Sequence, residues 1–313
     1  MRRFVGMLIA ACWLLLLPIT VTVMADSGSA AGFEFLRTHI GARPSALAGA
    51  FISATGDIHA LYFNPAGIGT IADRVASATY LHHVLDFQSG FAGYSQPIKG
   101  VGQLAVGLSY MNYGEFDETD VNGQKIGNFN AGSFVFTSAL GRTISDDLLA
   151  GVAAKVIYST IDHYNSTALA VDLGLIYQSP FFGGMNIGLG VFNLGQALTA
   201  FIDTKDPLPV NIAAGVSKKL AHLPLEYFVA ANKSIDDDFQ IRVGGEFTLS
   251  EGFFLRLGYS SLGRNQKIGA SGDQYAGLSA GLGFHWRKMQ FDYGLSSFGA
   301  IGYLNRATFS YTF

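Results

Sequence analysis

The sequence predicts an all-β fold: a transmembrane antiparallel β-barrel of about fourteen strands with an N-terminal hatch or plug segment inside it. Three observations lead there. Segments of about ten residues that alternate large apolar with small or polar residues repeat to the last residue. Only 14% of the 313 residues are charged, against about a quarter in soluble chains, so much of the surface need not face water. Aromatic residues collect at segment ends, as Phe284 and Trp286 do. A soluble sandwich alternates as well, but it does not call for a small, polar inner set. With 20 basic against 23 acidic residues there is no basic footprint, and nucleic acid is excluded as a partner.

The first element, residues 1–25, reads as a signal peptide. Arg2 and Arg3 precede an apolar run from Phe4 to Val23, and Val23-Met24-Ala25 places small residues at a cleavage site before Asp26. The alternative is an uncleaved anchor helix, since about 20 apolar residues can span a bilayer. Cleavage would remove Cys12, the only cysteine, and with it any disulfide or thiolate chemistry.

Residues 26–73 behave differently, being rich in Gly, Ala and Ser, with Pro44 and Pro65. A short helix is expected over Ser45 to Thr55, where Leu47, Ala50 and Phe51 share a face. A helix of that length is marginal alone and must pack on something, which places it inside the barrel as a hatch. In Asn64-Pro65-Ala66-Gly67, the Asn64 side chain can bond nearby backbone, Pro65 fixes φ, and Gly67 permits positive φ, so the run reads as a rigid reversal toward the first strand. A plain turn with no transport role is the other reading.

Residues 74–313 supply the barrel. Fourteen segments put both chain ends on the periplasmic side of a bacterial outer membrane, and the long gaps 114–127, 195–207 and 262–273 follow the third, seventh and eleventh segments. Closure is required because an unsatisfied backbone N–H or C=O in hydrocarbon costs several kcal/mol. Glycine within strands allows bending and close approach inside the barrel. The final alternation of Phe309, Tyr311 and Phe313 resembles the C-terminal insertion signal of outer-membrane barrels.

Gly41-Ala42-Arg43-Pro44-Ser45-Ala46-Leu47-Ala48-Gly49-Ala50-Phe51, then Gly56-Asp57, then Tyr62-Phe63-Asn64-Pro65-Ala66-Gly67 resembles the N-terminal signature of the PorV/PorQ family, outer-membrane barrels of the type IX secretion system and related bacteria. The Asn64-Pro65-Ala66-Gly67 run also resembles the hatch motif of FadL-type long-chain fatty-acid transporters, which share a fourteen-strand fold. The likeness covers about residues 33–75 and is only one of pattern over the barrel. It implies a hatch motif of Arg43, Pro44, Asn64, Pro65, Ala66 and Gly67.

No enzyme chemistry is legible, and no cofactor or metal is expected. His82 and His83 are adjacent on a strand and point to opposite faces. Asp236-Asp237-Asp238 reads as solvated charge at a turn. Ser166 and His163 lack a positioned carboxylate and oxyanion donors, and Gly188-Leu189-Gly190 has no following helix.

Lys155, Asp172, Glu226, Arg242, Glu246, Arg256, Asp292 and Arg306 all fall on the polar set of their strands and should face the lumen or the hatch. Mixed signs suit salt bridges that hold a plug better than an ion-selective pore. Two function classes remain, both with outer-membrane lipid around the barrel. The PorV/PorQ resemblance implies a secretion component that receives secreted cargo at its extracellular loops, with Tyr113, Phe116, Phe201 and Ile202 as apolar contacts. The alternative is FadL-like passive uptake of a hydrophobic ligand, hinted at by Phe192, Phe228 and Phe254 on inward positions.

Overall fold

The computed structural model describes residues 32–84 and 87–313. The expected signal peptide, residues 1–25, lies outside the described residues, as does the start of the hatch. Fourteen strands follow in order: β1 (Val75–His82), β2 (Gln88–Ile98), β3 (Gly102–Thr119), β4 (Lys125–Ser145), β5 (Leu148–Ile161), β6 (Tyr164–Ser179), β7 (Met185–Ala197), β8 (Asn211–Lys219), β9 (Leu225–Ser234), β10 (Gln240–Ser250), β11 (Phe253–Ser260), β12 (Leu278–Trp286), β13 (Met289–Ser297) and β14 (Tyr303–Thr312). Each pairs antiparallel with its neighbours, and β1 closes the barrel on β14 through Val75↔Thr312 to His82↔Asn305. No ladder edge is left open around the ring.

The side-chain period decides which face is which. On β6, Leu169, Val171, Leu173 and Leu175 are exposed, whereas Ala168, Ala170, Asp172 and Ile176 are buried. On β10, Ile241 and Val243 point out while Gln240, Gly244 and Glu246 point in. An apolar exterior around a small and polar interior is the arrangement a lipid-facing barrel requires. Trp286, Phe309, Tyr311 and Phe313 all stand on the outer surface.

An even strand number brings the start of β1 and the end of β14 to one end of the barrel, here called proximal. The long connections 198–210 and 261–277 lie at the opposite, distal end, while proximal turns such as 146–147, 251–252 and 287–288 are brief. Gly32, the first described residue, sits close to Asp206 of the distal connection. The chain therefore starts its described course at the distal end and runs down through the lumen to β1. Both chain ends on one side holds for the barrel termini and not for this segment.

Two expectations about local structure need correction. The gap 114–127 is mostly strand: β3 and β4 continue past their neighbours, pairing Gly114↔Ala131 to Thr119↔Lys125 around a tight turn at 120–124. The side chain of Asp120, accepting from the backbone N–H groups of Asn122 and Gln124, closes that turn. The helix expected over Ser45 to Thr55 is a single turn, Ala42–Ala46, because Ala48 and Gly49 adopt positive φ and end it. Leu47, Ala50 and Phe51 nevertheless share one buried cluster with Phe192 and Phe228.

Glycine explains how backbone fits inside backbone. A side chain at Gly258, Gly281 or Gly294 would meet Leu47, Ala46 or Ala42 of the hatch, and one at Gly141, Gly151 or Gly174 would meet Ile68, Pro65 or Asn64. Gly141, Gly151 and Gly174 are successive cross-strand partners. They form a smooth track on which the Pro65–Thr70 turn rests. Gly67 has no positive φ; it is glycine because Ala54 and Ala60 press on it. Gly174→Leu is expected to displace the Asn64 turn and give a barrel with lowered melting temperature and raised protease sensitivity in residues 60–70. Thermal unfolding and limited proteolysis in detergent check this.

Candidate functional site

The hatch is fastened to the wall by three polar anchors and divides the lumen. Asn64 is the first. Fully buried, its Oδ1 accepts from Ala66 N at 3.1 Å, and its Nδ2 donates to Ile52 O at 2.7 Å and to Leu175 O of β6 at 3.1 Å. Only an amide can serve as acceptor and donor in this way. Pro65 then begins a 3-10 turn where no N–H is needed, and Ala66 packs between Leu149 and Ile176.

Arg43 is the second anchor. Its guanidinium grips Glu246 of β10 through two bonds of 2.8 and 2.9 Å and reaches Asp57 at 3.2 Å. Glu246 also accepts from Arg256 Nε at 2.5 Å, and Arg256 Nη1 reaches Asp292 Oδ1 at 2.6 Å. A buried chain Asp57–Arg43–Glu246–Arg256–Asp292 thus runs from hatch to β13. Pro44, within the helical turn, is buried beside it. Burial works against the charge on Asp57, but His59, whose Nδ1 lies 2.8 Å from it, and Arg43 outweigh that and hold its carboxyl well below the ordinary range. Phe254 lies on the inner face beneath Arg256, 5.6 Å from its guanidinium.

The third anchor is Arg37, which clamps Asp236 at 2.5 Å and Asp237 at 3.1 Å. Solvated charge was the expectation for this turn; instead it holds the distal end of the hatch. Lys155 and Asp172 form a separate buried pair at 2.6 Å, and Lys155 also donates to Asn193 Oδ1 at 2.9 Å. Asn193 sits at φ 58° in a β7 bulge, where Phe192 and Asn193 oppose the single β6 residue Asp172, and its N–H donates to Asp172. The bulge brings Asn193 onto both members of this pair.

Above the hatch lies a cavity of about 400 Å³. Its floor is apolar, with Ile52, Phe63, Phe192 and Ala213, and its upper wall carries Ser260, Ser279, Ser296, Asn232 and Gln266. Arg242 and Arg306 also line it. Phe87, Tyr113, Phe116 and Phe129 form an aromatic cluster at the distal rim, with ring centroids 5.4 to 6.3 Å apart. Phe33, Phe35 and Leu36 continue an apolar surface inward with Val135 and Ile157. Tyr113 and Phe116 are thus turned into one cluster, while Phe201 and the exposed Ile202 lie on the separate connection after β7. Sequence reasoning missed His39, which lies between Arg242 and Arg306; a lone histidine with no ligand or catalytic partner at a fixed spacing left no motif.

No family model and no curated protein matches the chain. Solved structures do. The TodX monoaromatic hydrocarbon channel, as a deltaS2 mutant, superposes with a TM-score of 0.61 at 11% identity over 88% of this chain and 98% of that one. The CymD monoaromatic hydrocarbon channel gives 0.60 at 10% identity over 91% and 99%. A Pseudomonas aeruginosa FadL homologue gives 0.52 at 10% identity over 84% and 95%. The fold is that of the FadL-like outer-membrane barrels, a likeness of fold and not of sequence.

Two outcomes are expected. Arg256→Met leaves Glu246 without its bond from β11 and Asp292 buried without a cation, and should destabilise the barrel by about 3–5 kcal/mol, read from thermal unfolding in detergent. Burial, reinforced by Arg242 and Arg306, holds the pKa of His39 well below 6.5. A group so lowered stabilises fully above its unfolded value and loses that contribution as pH falls through its folded value. Melting temperature should therefore drop on acidification below about pH 6.5, and His39→Asn should flatten that slope.

Proposed function

We propose that the protein is a passive outer-membrane channel for small hydrophobic molecules, with the hatch as its moving part and the proximal end in the periplasm. The observation that carries this reading is the cavity of about 400 Å³, floored by the hatch, with an aromatic cluster at the same distal end of the barrel. That size falls in the range of roughly 300–1,000 Å³ usual for small-molecule sites. The fold-level likeness to two monoaromatic hydrocarbon channels supports the same reading.

The short hatch elements suit movement. The helical elements from Glu34 to Thr70 are each six residues or shorter, so their stability comes from docking on the wall and not from their own hydrogen bonds. A ligand pressing on Phe63 and Ile52 from above acts directly on the segment that Asn64 ties to β6. The cargo-docking role implied by the PorV/PorQ resemblance would call on Tyr113 and Phe116 as outward contacts; passage uses them where they stand, in the rim cluster.

Ala42 N donates to Thr308 Oγ1 at 2.9 Å, so these positions suit a reversible tether. Cells displaying the Ala42→Cys/Thr308→Cys double variant should take up labelled toluene at the wild-type rate when reduced and several-fold more slowly when oxidised. Equal rates in both states, with the disulfide shown to form, would rule out a moving hatch. Recovery of secreted proteins with the barrel from detergent extracts would instead favour cargo docking.

A further inference from the structure

The hatch and the inner wall together carry two kinds of cation. Arg43, Arg256, Lys155 and Arg37 each have a carboxylate partner at 3.2 Å or less. Arg242 and Arg306 have none within 4.0 Å among the described residues. Arg242 Nη1 meets His39 Nε2 at 2.9 Å, and Nη2 donates to Gln240 Oε1 at 2.8 Å. Arg306 Nε donates to His39 O at 3.0 Å, and Nη1 to Ser296 Oγ at 3.1 Å. All these acceptors are neutral, because a histidine that accepts from a guanidinium is the uncharged tautomer. The carboxylates on the cavity lining, Glu34 and Asp237, are held by Arg37, and Asp237 acts on Arg242 only from beyond 4.0 Å.

A buried guanidinium, Arg306, and a half-buried one, Arg242, without a carboxylate in contact cost free energy that an anion recovers. Arg306 is 3% exposed, and Arg242 Nε is buried with no hydrogen-bond partner. Asn232 Oδ1 and Gln266 Oε1, also on the lining, are buried acceptors without donors among the described residues. The site thus offers positive charge, two acceptors that need an O–H or N–H, and an apolar floor of Phe63, Phe192 and Ile52. His39 joins the first to the last, its ring 5.6 Å from Phe63 while it touches both arginines.

We propose that the distal cavity is a binding site for small hydroxylated aromatic acids, with the carboxylate at Arg242 and Arg306, the ring on Phe63 and Phe192, and the ring hydroxyl donating to Asn232 or Gln266. A long alkyl chain fits poorly, since it would lie against the amides of Asn232 and Gln266 and leave their oxygens unpaired. A neutral hydrocarbon can rest on the apolar floor in passing but makes no contact that compensates the two arginines, so it binds more weakly than the acid. The inference rests on the passage reading for its biological sense, but the site itself stands on the residues above.

The test is calorimetric titration of the purified full-length protein in detergent with 4-hydroxybenzoate, benzoate, 4-hydroxybenzyl alcohol and decanoate. Saturable binding of 4-hydroxybenzoate is expected, weaker binding of benzoate, and weakest binding of the neutral alcohol. Arg242→Gln and Arg306→Gln should each weaken it about 10- to 100-fold, the usual loss for a hydrogen bond to a charged group. Should Arg306→Gln fail to fold, Arg242→Lys and Asn232→Leu serve, the first losing less than Arg242→Gln and the second erasing the preference for the hydroxylated acid. Decanoate binding as tightly as 4-hydroxybenzoate, or arginine variants that bind as wild type, would overturn the proposal. Uptake of labelled toluene by cells without any binding of the acid would overturn it and leave the passage reading intact; binding of the acid without toluene uptake would support the site and remove that reading.

Discussion

A chain segment lying against the inside of a closed sheet has to bring backbone to backbone, and in this protein that is possible only where the wall has no side chains. Gly141, Gly151 and Gly174 on one side, and Gly258, Gly281 and Gly294 on the other, leave the space that the Pro65–Thr70 turn and the Ala42–Ala46 helical turn occupy. Any Cβ there meets hatch atoms at distances that require one of them to move. The hatch is thus part of the core. Its apolar residues, Leu47, Phe51, Leu61 and Ile68, are all fully buried and supply the lumen with the hydrophobic interior that a barrel facing lipid cannot find on its outside.

Polar chemistry then divides that interior by height. Toward the proximal end, Arg43, Glu246, Arg256 and Asp292 neutralise one another in a continuous chain that bolts the hatch to β10, β11 and β13. Toward the distal end, Arg242 and Arg306 hydrogen-bond only neutral groups among the described residues, and both line the distal cavity. Buried ion pairs contribute little net stability but are costly to break singly, so the first set specifies where the plug sits. The second set contributes nothing to that fastening beyond His39, and its charge is available to a ligand.

Much of this was legible one residue at a time. Alternation along 252–261 and 274–286 marked the strands and their inner faces, and Lys155, Asp172, Glu246, Arg256 and Asp292 lay on the polar set for the same reason that they are buried now: the pleat has period two. Asn64 was legible as a turn former, but its bond to Leu175, 111 residues away, was not. The helix after Ser45 was overestimated because apolar spacing at 47, 50 and 51 reports a shared contact, which an irregular turn with positive φ at Ala48 and Gly49 provides equally well. The gap at 114–127 was taken for a loop because beyond the rim a hairpin no longer has one face in lipid, so the alternation that marks a membrane strand fades while the ladder continues.

What the sequence by itself determined is the class of solvent on each side of the sheet and the number of times the chain crosses it, since both follow from periodicity and from the need to satisfy every backbone group in hydrocarbon. It also determined that charges of both signs face inward. Which charge meets which was decided only in the folded barrel. Arg256 and Arg306 carry the same side chain on the same face of neighbouring hairpins, yet one is compensated twice and the other not at all. That difference depends on strand register and on where the hatch crosses the lumen, and both are set by contacts between residues far apart in the chain.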